Sequence, residues 1–303
     1  MNGIPKALIV ISVAAAPLAI GAALAQNGPA SQVLPEGIRG GSEVVPEARV
    51  QLRKYLFEPT NEELPYSVFV SSRVKPGEKA PLIIALRGYT GTPLTFVRGT
   101  AVDLAEEGGY ILVGPIGYNN RSWFGVPPRA GPPPRAIAPL ATPGALAVPP
   151  GPPRAPPPIV GGTAETDPVK ASEYSEQDVM NVLALVREEF AVDDQRIYLM
   201  GHSQGGGGVR HLAEKYPDIW AAVALLAPAV FDDATSHDGS VPLLIMVGDQ
   251  DGLIDRLRGF HDQLGALNVA HEYVEKPGLD HGQIIMSAMP EVFRFFPKHV
   301  KTQ

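Results

Sequence analysis

The chain has 303 residues, of which 45% are hydrophobic and 19% are charged, a composition typical of one globular domain with enough apolar material for a core. Its formal net charge of -7 provides no basic surface for a phosphate backbone, so we expect no nucleic-acid partner. The chain contains no cysteine, which excludes thiol nucleophiles, iron–sulfur clusters and cysteine-bound zinc.

Residues 1–25 have the pattern of a secretory signal peptide. A start that carries Lys6 precedes an apolar run, and the run ends in small residues up to Ala25. The alternative is a transmembrane anchor, but Pro17, Gly21 and many alanines make the run only weakly apolar. We therefore predict cleavage after Ala25, export to the periplasm or the exterior, and a mature protein without a stable membrane anchor.

Two further segments are poor in large apolar residues. Residues 26–50 are rich in Gly, Pro, Glu and Ser and are predicted to form a poorly ordered leader before a catalytic domain at 51–303. Residues 126–168 are dominated by Pro, Gly and Ala, which disfavour both helix and sheet pairing and predict an extended or disordered insertion. Because this insertion follows a predicted strand at 110–113, we expect it at the sheet edge where ligands bind, as a possible lid.

Apolar runs alternate with helical patterns from Val50 onward. The predicted strands are 66–70, 82–86, 110–113, 197–200, 221–226, 243–247 and 271–274. The predicted helices are 94–107, 175–190, with Ser175 and Asp178 as its capping signal, 207–216 and 254–267. This alternation predicts an α/β fold, a mostly parallel sheet with helices on both faces.

The pentapeptide Gly201-His202-Ser203-Gln204-Gly205 matches the G-x-S-x-G nucleophile elbow. The motif needs a serine on a strained turn, with glycines that let neighbouring backbone come close. In isolation the same pattern is also a Gly-rich turn before a helix. Its position between a predicted strand and a predicted helix favours Ser203 as a nucleophile.

A serine hydroxyl needs a base to take its proton, and in this type of site the base is a histidine that follows the serine in the chain. His281 lies in a polar, Gly-flanked loop after the strand at 271–274 and is the predicted base. We expect His202 and His211 to be too close to the elbow to fold back as the base. The other four histidines are expected on the surface.

The acid that orients the histidine is expected in the loop after the strand at 243–247. Asp249 and Asp251 both lie there, and we predict Asp251 because its position beside Gly252 suits a carboxylate that points back toward the histidine. Asp249 remains an alternative. Its other role would be turn formation through side chain to backbone bonds.

The oxyanion that forms on attack needs two main-chain donors. We predict the N–H of Gln204, directly after the serine, and the N–H of Tyr89, in the loop after the strand at 82–86. The alternative for that loop is a plain glycine turn at Gly88.

These residues resemble the secreted esterases related to polyhydroxybutyrate depolymerases and feruloyl esterases, within the α/β-hydrolase superfamily. The likeness covers about residues 53–296; besides the elbow it includes the segments LPYSVFV, DQRIY, YPD and DHG. The resemblance implies the α/β-hydrolase fold, ester hydrolysis, and a triad of Ser203, Asp251 and His281.

In that family the second oxyanion donor follows a His-Gly pair, whereas this chain has Arg87 before its glycine. Since the donor is a main-chain group, Tyr89 can still serve, and the difference concerns the packing of the loop.

The substrate is less constrained than the reaction. Tyr118, Trp123 and Phe124 precede the insertion and are candidates for one wall of an acyl or aryl pocket, with packing in the core as the alternative. The predicted substrates are aryl, short acyl or polymeric esters, and the oligomeric state is left open. No phosphate loop, dinucleotide fingerprint or histidine metal pair occurs in the sequence, so neither a cofactor nor a metal is expected.

Two other functions fit parts of the pattern. A peptidase of the prolyl-oligopeptidase type would share the triad, but that group generally carries a large extra domain, and the leader before Val50 is too short to form one. A non-catalytic binding protein on a hydrolase fold would explain Arg87. The complete apparent triad argues against it.

Overall fold

The computed structural model describes residues 47–127 and 157–302. The predicted signal peptide, almost all of the predicted leader and the centre of the Pro-rich insertion lie outside the described residues. The strands in the described part are β1 (Gln51–Phe57), β2 (Glu62–Val70), β3 (Ala80–Leu86), β4 (Ile111–Pro115), β5 (Val192–His202), β6 (Ala222–Leu226), β7 (Leu243–Gly248) and β8 (His271–Lys276). The helices are α1 (Gly99–Gly108), α2 (Pro168–Glu189), α3 (Gln204–Lys215), α4 (Ile254–Ala266), α5 (Ile284–Ser287) and α6 (Met289–Phe295), with short 3-10 helices at Ser236–Gly239 and Phe296–Lys298.

The strands form one sheet in the order β1-β2-β4-β3-β5-β6-β7-β8. β2 is antiparallel to both of its neighbours, and β3 to β8 are parallel. Every residue of β3, β4, β6 and β7 is buried, as expected for parallel strands covered on both faces. The carboxyl ends of these strands therefore meet at one edge, where the loops that follow them can form a site.

Helices cover the two faces of the sheet with separate apolar clusters. Along β3, Ile83 and Ala85 pack with α1, α5 and α6, while Leu82, Ile84 and Leu86 pack with α2 and α3. Successive strand residues point to opposite faces, so this alternation assigns each group of helices to one face. α4 contributes to both clusters.

Several predicted boundaries differ from the structure. The predicted capping signal at Ser175 is wrong: α2 begins seven residues earlier, and Asp167 caps it by accepting the main-chain N–H groups of Val169 and Lys170 at 2.8 and 2.9 Å. Pro168 at the first helical position fits this start, because a proline there loses no helical hydrogen bond. β1 was not predicted, since it is an edge strand with several exposed or half-buried polar residues.

The end of the insertion, residues 157–167, returns along the protein surface and is called here the return arm. The N–H of Asn120 donates to the carbonyl of Val160 at 2.9 Å, and the N–H of Val160 donates to Oδ1 of Asn120 at 3.1 Å. Gly161 forms an antiparallel bridge with Asn119. The expectation that the insertion has no sheet pairing is therefore wrong at this end, because main-chain groups pair here without any long strand.

A buried carboxylate joins α2 to the end of α3. Glu176 accepts hydrogen bonds from Lys215 Nζ and the Tyr216 hydroxyl at 2.6 Å each, and lies 2.7 Å from His211 Nε2. Burial alone would raise the pKa of Glu176, but these hydrogen bonds outweigh it and lower the pKa to about 2. The carboxylate therefore stabilises the contact between α2 and α3, the helix that follows the elbow.

In the part of the chain that the structure describes, none of the helices combines the length and the hydropathy needed to cross a membrane.

Candidate active site

Ser203 occupies the sharp turn between β5 and α3. Its φ of 54° and ψ of -115° lie in a region that residues with side chains rarely adopt. Close backbone approaches explain the flanking glycines: a Cβ on Gly201 would lie 2.4 Å from the carbonyl oxygen of Gly205, and one on Gly205 would lie 2.3 Å from that of Leu86. The sequence around Ser203 thus forms the strained strand-turn-helix that the motif predicts.

Three of the predicted site residues come together at the carboxyl edge of the sheet. Ser203 Oγ lies 2.9 Å from His281 Nε2, and His281 Nδ1 lies 2.7 Å from Asp251 Oδ2. Asp251 is fully buried, and its other carboxylate oxygen accepts the main-chain N–H of Leu253 at 2.8 Å. An ionised carboxylate only accepts, so it favours the tautomer with a proton on Nδ1. Nε2 is then free to take the proton of the serine hydroxyl.

Asp249 has a different set of contacts. Its Oδ1 accepts the main-chain N–H of Gly278 at 2.8 Å and the side-chain amide of Gln250 at 3.0 Å. These bonds tie the loop after β7 to the loop after β8. In the structure Asp251 therefore contacts His281, whereas Asp249 stabilises the loops after β7 and β8.

His202 supports the site through a contact that was not predicted from the sequence. Its Nε2 lies 2.6 Å from the carbonyl oxygen of His281, and the two rings are 4.6 Å apart. Because a carbonyl only accepts, Nε2 carries the proton and donates it. Burial, and then the neighbouring His281, lowers the pKa of His202 to about 3, so the ring is neutral at ordinary pH. His202 is part of the G-x-S-x-G motif, but no sequence pattern marks this supporting contact.

The two predicted oxyanion donors lie on adjoining segments. Gln204 is the first residue of α3, where main-chain N–H groups have no partner within the helix. Tyr89 is 58% exposed and sits in the loop between Gly88 and Thr90. A Cβ on Gly88 would lie 2.8 Å from His202 Nδ1, which shows how closely this loop approaches the elbow.

Arg87 stands where the esterase family that this chain resembles has a histidine. Its side chain is buried, with 1% of the residue surface exposed. Every N–H of its guanidinium donates a hydrogen bond, five in all. The acceptors are the carbonyl oxygens of Ile116, Gly88, Asn119 and Ser122, and Oε1 of Gln204. The ring of Phe124 lies over the guanidinium, with Arg87 Cζ 4.8 Å from the ring centroid.

A second buried charge lies in the same region. Asp178 is fully buried and accepts the Tyr55 hydroxyl and the main-chain N–H of Gly117, at 2.6 Å each. Burial raises the pKa of Asp178 to about 6, against those hydrogen bonds and the charge of Arg87. Burial also lowers the pKa of Arg87, and Asp178 opposes that shift. Because the ordinary pKa of an arginine lies far above neutral pH, we expect the guanidinium to stay charged at pH 7.

A cavity of about 1050 Å³ lies beside the elbow, between α3 and the return arm. Trp123 and Phe231 are on its wall, with ring centroids 6.4 Å apart, and Gly207 and Ala229 border it. The main-chain N–H groups of Gly207 and Ala229 donate to the carbonyl oxygen of Ser203 at 3.1 and 2.8 Å. The cavity is thus adjacent to the turn that carries the serine.

Of the three aromatic residues predicted as a pocket wall, only Trp123 faces this cavity. Tyr118 and Phe124 are fully buried, and the expectation is corrected for both. Tyr118 packs in the core and its hydroxyl donates to Glu62 at 3.0 Å, while Phe124 covers Arg87. Both have a positive φ, so the chain turns sharply at each and directs its ring inward.

Within residues 47–127 and 157–302, no group of three or more His, Asp or Glu residues is arranged to hold a metal ion.

A family model described as the alpha/beta hydrolase fold matches residues 149–240, the stretch that contains the elbow. The chain has the α/β-hydrolase fold. The fold class predicted from the sequence is thereby confirmed, with a mostly parallel eight-stranded sheet and helices on both faces.

Curated relatives include two cutinases. The chain is 33% identical over 93 residues to cutinase 2 of Thermobifida cellulosilytica, a match that covers 30% of this chain and 34% of the cutinase. A cutinase of Thermobifida fusca is also 33% identical over 93 residues, which cover 28% of its length. The chain therefore matches about a third of the length of these relatives.

Solved structures extend the likeness of fold over most of the chain. A CE1 ferulic acid esterase from Anaeromyces mucronatus has a TM-score of 0.57 at 17% identity, covering 88% of this chain and 96% of that one. An S-formylglutathione hydrolase from Agrobacterium tumefaciens has a TM-score of 0.58 at 17% identity, covering 83% and 95%. At these identities the likeness establishes the fold alone.

Proposed function

We propose that this chain is a secreted serine hydrolase that cleaves carboxylic esters through a covalent acyl-enzyme. The observation that carries the proposal is the hydrogen-bonded series Ser203–His281–Asp251, with distances of 2.9 and 2.7 Å and a fully buried carboxylate at its end. A nucleophile, a base and an orienting acid in this geometry form the arrangement that acyl transfer requires.

Each of these side chains has a defined part in the reaction. Ser203 Oγ attacks the ester carbonyl carbon while His281 Nε2 takes the hydroxyl proton. The N–H groups of Gln204 and Tyr89 stabilise the oxyanion of the tetrahedral intermediate. As that intermediate collapses, His281 returns the proton to the leaving alcohol and the acyl-enzyme remains. Water then attacks the acyl carbon with His281 as base, and the carboxylic acid leaves Ser203.

Two kinds of comparison support esters as the substrate class. The curated relatives are named as cutinases, and one structural neighbour is named as a ferulic acid esterase. Aryl, short acyl and polymeric esters all remain substrates to be tested. Export rests on the signal-peptide pattern of residues 1–25.

The experiment compares purified Ser203→Ala with the unaltered protein on nitrophenyl esters, methyl ferulate, polyhydroxybutyrate and peptide amides. Loss of the nucleophile is expected to lower kcat on esters by a factor on the order of 10⁶. Ser240→Ala is the matched control, because Ser240 is exposed at the end of a short 3-10 helix. An unchanged melting curve establishes that the fold is intact. Retention of more than about a tenth of the esterase activity would rule out Ser203 as the nucleophile, given that magnitude.

A further inference from the structure

Arg87 connects the two segments that carry the predicted oxyanion donors. We propose that it is a positioning residue for the oxyanion hole, holding the loop of Tyr89 and the start of α3 in one fixed relation. The inference rests on the proposed function above. It assigns a role to the residue at which this chain departs from the family that it resembles.

The first connection is to the loop that carries Tyr89. Arg87 Nη1 donates to the carbonyl oxygen of Gly88 at 3.2 Å, within the peptide segment that leads directly into Tyr89. The same loop is held from the other side, because the N–H of Thr90 donates to the carbonyl oxygen of Asn120 at 2.8 Å. The orientation of the Tyr89 peptide is therefore fixed by bonds on both of its sides.

The second connection is to the residue that follows the serine. Arg87 Nη1 donates to Gln204 Oε1 at 2.7 Å, and Gln204 Nε2 donates to the carbonyl oxygen of Arg121 at 2.8 Å. The amide thus uses its acceptor and one donor on two different partners, which sets its orientation. Gln204 is 1% exposed, so neither bond is exchanged with bulk water.

The third connection is to the loop between β4 and the insertion, residues 116–124, called here the crossing loop. Arg87 Nε donates to the carbonyl oxygen of Ile116 at 2.8 Å, and Nη2 donates to those of Asn119 and Ser122. The crossing loop has little regular structure, so these bonds give it a fixed path. The return arm pairs with the same loop at Asn119 and Asn120.

The chemistry of these acceptors explains why an arginine is needed. Three segments present their carbonyl and amide oxygens to one buried point, and the planar guanidinium with its five donors reaches all of them together. Lysine would keep the charge but has three donors on a single nitrogen. Methionine would fill a similar volume and leave all five acceptors without this partner. Because each buried acceptor left unpaired costs free energy, we expect the segments to shift in both variants.

The test separates positioning from general destabilisation. The variants are Arg87→Lys, Arg87→Met and Gln204→Met, the last of which keeps the main-chain N–H of residue 204 and removes only its side-chain bridge. Arg53→Lys is the matched control, because Arg53 lies on β1 and pairs with Glu189 on α2. The readouts are kcat and KM for a nitrophenyl ester, melting temperature, and inhibition by two ligands. One is a trifluoromethyl ketone that forms a tetrahedral oxyanion on the serine, and the other is a product carboxylic acid that forms none.

Removing one oxyanion donor costs about 10² to 10³ in kcat. We expect a fall of about 100-fold for both Arg87 variants and of about 10-fold for Gln204→Met, on that scale. Affinity for the ketone should fall in parallel, while KM and the affinity for the acid change by less than about threefold. Combining Arg87→Met with Gln204→Met should give little further loss, since Arg87→Met already removes the bond between these two side chains.

Two results would overturn the proposal. One is full activity and ketone affinity in Arg87→Lys, which would leave the charge as the only requirement. The other is a Gln204→Met variant with the kcat and ketone affinity of the unaltered protein. If Arg87→Met does not fold, Arg87→Lys and Gln204→Met still decide the question. Failure of the proposed function is distinct, because the unaltered protein would then neither hydrolyse esters nor bind the ketone.

Discussion

Replacing Asp251 by asparagine tests which carboxylate orients the base. Asp251 is fully buried, and its two oxygens accept hydrogen bonds from His281 at 2.7 Å and from the N–H of Leu253 at 2.8 Å. An asparagine can turn its oxygen to only one of these partners, and its amide would present a donor to the other. A histidine facing that donor takes the tautomer that cannot accept the serine proton.

The expected loss in kcat is about 10⁴-fold, the scale seen when a triad carboxylate becomes an amide, and it corresponds to about 5.4 kcal/mol at 1.36 kcal/mol per tenfold. Asp249→Asn is the matched control. Asp249 supports a loop through bonds to Gly278 and Gln250. Losing one such bond costs roughly 0.5 to 1.5 kcal/mol of stability and should leave kcat within about threefold.

The assay is steady-state hydrolysis of a nitrophenyl ester by the two asparagine variants, with urea unfolding to record their stabilities. Asp251→Asn should be folded and nearly inactive, whereas Asp249→Asn should be slightly less stable and active. The opposite order of activities would rule out Asp251 as the orienting acid and assign that role to Asp249. Equal and small losses would show that neither carboxylate orients the base.

Three further outcomes are expected. Glu176→Gln should reduce the free energy of unfolding at pH 7 by about 3 kcal/mol, from a pKa shift of 4.5 to about 2. Since the pKa of Glu176 is lower in the folded than in the unfolded protein, its contribution to stability is complete above pH 5 and disappears as the pH falls toward 2. Equal free energies of unfolding for Glu176→Gln and the unaltered protein, measured with urea at pH 7, would contradict this prediction. His202→Ala should lower kcat by tenfold or more without unfolding the protein, because His281 loses a main-chain anchor; unchanged kinetics would refute this role. Replacing residues 128–156 by a short Gly-Ser link should leave the melting temperature within a few degrees, about 1 kcal/mol for a domain of this size, and change the ranking of bulky against small esters. Extending the deletion through residue 167 should lower the melting temperature further, because the return arm makes main-chain hydrogen bonds to the crossing loop. Equal melting temperatures for the two deletions would show that these bonds do not stabilise the fold.

The elbow and the α/β fold class could be predicted because both follow from local sequence. A serine on a positive-φ turn requires glycine where neighbouring backbone approaches, and buried parallel strands require apolar runs. The start of α2 could not be found in the same way, because it lies within a stretch that its composition marked as insertion. Asp167 and Pro168 are a cap and a first-turn residue whose meaning depends on where that insertion ends.

The environment of Arg87 shows what local patterns leave out. Its acceptors lie 29 to 117 positions away along the chain, apart from the adjacent Gly88, and most of them are main-chain carbonyls. Any residue type supplies a carbonyl, so the sequence carries no mark of these partners. The same holds for His202, whose partner is the carbonyl oxygen of His281. Tyr118 and Phe124 have a positive φ and are fully buried, and no local pattern separates them from Trp123 in this respect.

Covalent labelling by a serine-directed reagent tests whether Ser203 is the nucleophile. The protein is treated with a fluorophosphonate, digested and analysed by mass spectrometry, alongside Ser203→Ala and the control Ser240→Ala. If Ser203 is the nucleophile, we expect one phosphonylated peptide that contains Ser203, formed in step with the loss of esterase activity. The adduct should be present in the control and absent from Ser203→Ala. Complete loss of activity with no adduct on Ser203, or with an adduct on another residue, would contradict this expectation.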